Sequence, residues 1–293
     1  MAPVPIWAKV LSLLVAAAML PFLLFLLIGS MVALASTDAE LHRTTTFAVG
    51  SAPKLQLDAR FGQVTVEAGS DGQVVVEERQ SADAITRAAA LDSLRRTGVR
   101  TSRQGDLIVV QQDDAPFRSL GFTRGSTVTI HVPVHTDLDI ANTTVLVEGT
   151  DGVVHFRSDG AELQLRSVVL RGASVIDQPN NQVDMHGVTV VGAATIAAQH
   201  ASVVFDGSLA PGGSSLDIRT EGYVQVVLPR PTDAHATVTA VPSAFHADPQ
   251  WGFVGPGPTS PDQFAPVTWT ADLGPEPKGA VTIDATAVTF NVR

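Results

Sequence analysis

From Val145 to Val226 apolar residues come in pairs two apart, and the pairs recur about every twenty residues. One row reads Val145/Val147, Leu163/Leu165, Val183/Met185, Val203/Phe205 and Val224/Val226. A second reads Val154/Phe156, Ser174/Ile176, Ala194/Ile196 and Leu216/Ile218. Spacing of two marks one face of a β-strand. A fixed period near twenty residues predicts strands that recur as coils of a stacked array. The expected fold is therefore all-β: a β-solenoid of short stacked strands, about twenty residues per coil. One coil cannot bury its inward pairs alone, so stacking would supply both the core and the backbone hydrogen bonds.

The pattern predicts further strands before the coils, at Leu55/Leu57, Val64/Val66, Val74/Val76, Leu107–Gln111 and Thr127–Val132. It is broken at residues 82–96. There Ser81 is a candidate N-cap, and Ile85, Ala88, Leu91 and Leu94 form an apolar stripe, so a short helix is predicted. It is broken again over 242–278, which holds eight prolines and four glycines. The aromatic residues Phe245, Trp251, Phe253, Phe264 and Trp269 lie in that segment. Two readings stay open for them: a cap over the apolar end of the array, or a partner or ligand surface.

Val10 to Ala35 contains no charged residue. As a helix it would be about 39 Å long, enough to cross a hydrocarbon core of about 30 Å with tilt. A single-pass transmembrane helix is expected, with a cleaved signal peptide ending near Ala33-Leu34-Ala35 as the rival. Either reading exports the remainder. The expected organisation is an anchor at 1–35, a polar stalk at 36–53 and an ectodomain at 54–293, with 242–278 as its cap or insertion. The expected location is a cell membrane, with 36–293 extracytoplasmic and residues 10–35 as the membrane contact.

Composition removes several function classes. A formal net charge of −10 opposes nucleic-acid phosphates. The absence of cysteine excludes disulfides and cysteine-ligated metal. His131-x-x-x-His135 followed by Asp137 and Asp139 is the nearest approach to a metal motif, but Pro133 lies between the histidines and no metal or cofactor is expected. Outward acids such as Glu162, Asp177 and Asp184 carry no pairing signature of a glycan-cleaving enzyme. No nucleophile elbow or phosphate loop occurs, and no catalytic residues are assigned.

The stretches Arg60-Phe61-Gly62-Gln63-Val64-Thr65-Val66-Glu67, Leu216 to Pro229 and Gly279-Ala280-Val281-Thr282-Ile283 resemble the bacterial putative-adhesin family of β-strand-repeat proteins. The resemblance spans about 50–293. It implies a β-solenoid that follows a membrane helix or signal peptide, at the cell surface or envelope, and it supplies no catalytic residues. The functional expectation is a non-enzyme acting in adhesion, envelope contact or protein binding. Its partner would be an envelope protein or glycan. The alternatives are an envelope-sensing scaffold that docks a membrane partner and, further off, a glycan-active enzyme.

Overall fold

A computed structural model describes Met19 and residues 37–59, 62–84, 86–96, 98–112, 122–255 and 265–293. The N-terminal part supplies β1 (Thr37–Ala48), β2 (Lys54–Asp58), β3 (Gln63–Ala68), β4 (Gln73–Ala84), helix α1 (Arg87–Arg96), β5 (Val99–Gln104), β6 (Leu107–Gln112) and β7 (Phe122–Val132). The central part supplies β8 (Asp137–Ala141), β9 (Thr144–Glu148), β10 (Asp151–Gly152), β11 (Val154–Arg157), β12 (Leu163–Arg166), β13 (Val169–Asp177), β14 (Val183–Ala198), β15 (Val203–Leu209), β16 (Ser215–Thr220) and β17 (Tyr223–Leu228). The C-terminal part supplies β18 (Ala234–Ala240), β19 (Phe245–Ala247), β20 (Val267–Asp272), β21 (Gly279–Asp284) and β22 (Ala287–Val292).

The expected β-solenoid is corrected. The protein is all-β, but its described strands join in one 22-stranded sheet whose order departs from coils stacked along the chain. Chain order fails at both ends. β2 lies between β6 and β8, and β3 lies between β7 and β9, all parallel. At the other end β21 inserts between β16 and β18, and β22 between β17 and β19. β5–β6 and β18–β20 are antiparallel. The twenty-residue period reports only neighbours one period apart, so these long-range insertions were invisible to it.

The side-chain directions follow the period closely. Leu163 pairs with Val145 and Val183, then Val183 with Val203 and Val203 with Val224, so like positions stack. Both apolar rows are buried, with Leu165, Val183, Met185, Val203 and Phe205 all at 0% exposure. The core is aliphatic with phenylalanines at Phe156, Phe205 and Phe290.

Contacts divide the chain into two units, the smaller containing 1–41, 80–97 and 115–125. Among its described residues Ala90 and Leu94 of α1 pack with Ala39, Ala82 and Ala84. The helix starts later than the predicted 82. Residues 82–84 continue β4, and Thr86 acts as the cap, its hydroxyl accepting the Ala89 N–H at 3.2 Å. Ser81 belongs to the strand. The segment expected as a stalk contains β1.

The predicted anchor over 10–35 lies outside the described residues except for Met19. Among the described residues no helix is long and apolar enough to cross a membrane. The single-pass membrane location, the membrane contact and the transmembrane helix of the expected fold are therefore withdrawn.

Candidate functional site

In the larger unit strands such as β3, β9, β12, β15 and β17 alternate an inward apolar residue with an outward one, so the outward residues also stack in register. One outward row runs Thr129, Thr65, Leu146, Gln164, Asp184, Val204, Gln225, Thr289 and His246 across successive strands. The next row, two residues further along, runs His131, Glu67, Glu148, Arg166, His186 and Asp206. Strand spacing is about 4.8 Å, so neighbours in a row interact directly. Glu67 and Glu148 are Cα partners of like charge. The pair is flanked by opposite chemistry on both sides. His131 Nδ1 lies 3.0 Å from Glu67 Oε1, and Arg166 is the Cα partner of Glu148. His131 Nε2 also lies 3.9 Å from Glu77 Oε1. At the other end Asp206 accepts from Arg293 Nη2 at 2.6 Å and lies 3.9 Å from His186 Nδ1.

A shallow groove of about 330 Å³ lies between His42 and Thr44 of β1, Glu77 and Arg79 of β4, and Thr127 and Thr129 of β7. The odd member is Glu78, which points inward and is 4% exposed. Burial pushes its carboxyl above the ordinary value. The Val99 N–H at 2.8 Å and the Arg43 charge pull the other way and do not cancel the desolvation. Glu78 thus ties β4 to the start of β5 with a buried acceptor. Elsewhere Arg171 grips Asp151 bidentately, with Nη2 to Oδ2 at 2.9 Å, and His135 Nδ1 lies 3.2 Å from the same carboxylate. The Arg171 hydrogen bond holds the Asp151 carboxyl below the usual carboxylate range.

The histidines of the metal-like motif part company. β7 ends at Val132, and Thr136 Oγ1 closes a turn by donating to Pro133 O at 2.6 Å. His131 therefore faces Glu67, His135 faces Asp151, and Asp137 Oδ1 accepts the Val153 N–H at 3.0 Å. Among the described residues no group of three or more His, Cys, Asp or Glu side chains could hold a metal ion.

The aromatic residues named from the sequence are partly brought together. Phe245 and Trp269 stack at 4.4 Å between ring centroids, and Phe253 meets Phe245 edge-on at 5.3 Å. All three are half-buried against the core. Trp251 is 3% exposed and meets Phe290 edge-on at 5.7 Å, with the Arg230 guanidinium 6.0 Å from its ring. Phe264 lies outside the described residues. Val254, 71% exposed, bridges to Thr270 of β20 beside this group. Sequence reasoning missed the outward rows, although the same period contains them: Arg166, His186 and Asp206 keep time just as Leu165, Met185 and Phe205 do.

No family model matches the chain, and no curated protein matches it. Solved structures do. A "putative lipid binding protein" from Parabacteroides distasonis is similar at 9% identity and a TM-score of 0.44, over 86% of this chain and 97% of that one. A "putative cell adhesion protein" from Clostridium sporogenes is similar at 11% identity and 0.31, over 86% and 99%. A "putative adhesin" from Bacteroides fragilis is similar at 10% identity and 0.35, over 86% and 97%.

Proposed function

We propose that the protein is a non-enzymatic binding protein, making adhesive contact with a protein or glycan through the aromatic group at its C-terminal end. The observation that carries this reading is the half-exposed stack of Phe245, Trp269 and Phe253 beside exposed Val254. A ring stack of this kind presents rigid apolar area at low entropic cost, the usual composition of a contact hot spot. Trp251 serves beneath it as a floor against Phe290, and Phe264 belongs to the same proposed surface on sequence grounds alone.

The test is a panel of immobilised glycans and purified surface proteins, screened with the full chain and with Trp269→Ala. The reading expects a ligand retained by the native protein and lost by the variant, with the variant still folded by circular dichroism. Equal retention by Trp269→Ala would remove the aromatic surface from the account. Release of new reducing ends from any retained glycan would contradict a non-enzyme.

A further inference from the structure

Tyr223 is the only tyrosine in the chain, and among the described residues it is the aromatic one of the exposed large hydrophobics, at 37% exposure. It opens β17, where Val224 and Val226 face inward and Tyr223 and Gln225 face outward. Its Cα partner on β22 is Ala287, whose methyl leaves the flank of the ring low. Gln225 continues the strip through Val204 to Asp184 and Gln164. Two amide–carboxylate couples complete it. Gln182 Nε2 donates to Asp184 Oδ1 at 2.8 Å, and Gln164 Nε2 donates to Glu162 Oε1 at 2.6 Å. Among the described residues neither carboxylate forms an ion pair with Lys or Arg. The strip thus combines one exposed aromatic ring, a row of amides and two carboxylates outside any Lys or Arg ion pair, with Arg166 Nη2 donating to Gln164 Oε1 at 3.4 Å at its edge.

We propose that this strip binds a linear glycan bearing free amino groups, laid across the strands. The C–H face of a sugar ring stacks on the Tyr223 ring. Its hydroxyls match the donors and acceptors of Gln225 and Gln182. An ammonium on a neighbouring ring meets Asp184 or Glu162 in a charge-assisted hydrogen bond. Strands succeed one another at about 4.8 Å, close to the advance of one β-linked pyranose, so successive rings meet successive strands. The chain's net charge of −10 favours a cationic glycan and repels an acidic one. The strip uses different residues from the aromatic end, so the two assignments stand or fall separately.

The experiment is calorimetric titration of the full chain with a chitosan hexamer, against the fully N-acetylated hexamer and a hyaluronan oligomer. Saturable binding of the chitosan hexamer is expected. Tyr223→Ala loses at least about tenfold in affinity, or roughly 1.4 kcal/mol, whereas Tyr223→Phe keeps it because the ring, not the hydroxyl, does the stacking. Asp184→Asn with Glu162→Gln weakens binding and flattens its salt dependence. Absence of saturable binding, equal affinity in Tyr223→Ala, or a preference for the N-acetylated or acidic oligomer overturns the assignment.

Discussion

Val203→Asp is expected to abolish the folded protein or lower its melting temperature by well over ten degrees. Val203 is fully buried and stacks between Val183 and Val224. A carboxylate there has no partner, and an unpaired buried charge costs about 3–5 kcal/mol even after relaxation. Whole-domain stability is only about 5–15 kcal/mol, so one such residue can consume most of it. The control is its chain neighbour. Val204 faces outward in the row between Asp184 and Gln225, so Val204→Asp should shift the melting temperature by about a degree or two. Thermal unfolding followed by circular dichroism reads both. Equal effects at 203 and 204 would mean that the strand alternation is misassigned.

Gly207→Ala carries the second large effect. β14 and β15 shift register between His186 and Val188, bringing Gly207 opposite Val188. A Cβ at 207 would stand 2.2 Å from the Val188 carbonyl oxygen and 2.9 Å from Cζ of Phe205. The first contact is backbone and cannot rotate away. Overpacking of this kind costs about 1–3 kcal/mol. In a domain of this size each kcal/mol is worth about 2–4 °C, so a fall of about 5 °C is expected. Because the carbonyl rather than the ring sets the clash, adding Phe205→Leu should not restore stability. Recovery in the double variant would move the constraint from the backbone to the aromatic ring.

These two positions also show what could be read from the sequence. Val203 was legible because burial on one face of a strand imposes a period of two, and stacking repeats it every twenty residues. The outward row of Arg166, His186 and Asp206 was legible by the same rule, yet polar residues carry no hydrophobic signal to draw attention to them. The neighbours of Glu67 were not legible at all. His131 and Glu148 reach it only because β3 enters the sheet out of chain order, and sequence patterns report local spacing rather than long-range pairing. That same insertion is why a solenoid in chain order was the wrong architecture. The start of α1 was misplaced because Ser81 and Thr86 are both competent caps. The choice fell to Thr86 because Ala82 and Ala84 are buried as strand residues. The aromatic end was partly legible: the segment was marked by composition, but the burial of Trp251 beside Phe290 depends on β22 arriving from the chain terminus.

The interleaved order of the strands is what brings Thr65 and Thr289 into the outward row, and it can be measured directly. The chain has no cysteine, so spin labels at Thr65→Cys and Gln225→Cys report one distance cleanly. The registers place five strand steps between these residues, through Leu146, Gln164, Asp184 and Val204. At about 4.8 Å per step that is about 24 Å. Coils stacked strictly in chain order at twenty residues each would separate the same pair by eight steps, about 38 Å. A narrow distribution near 24 Å is the predicted result; one centred near 38 Å, or with no defined maximum, would contradict the sheet order and the outward rows built on it.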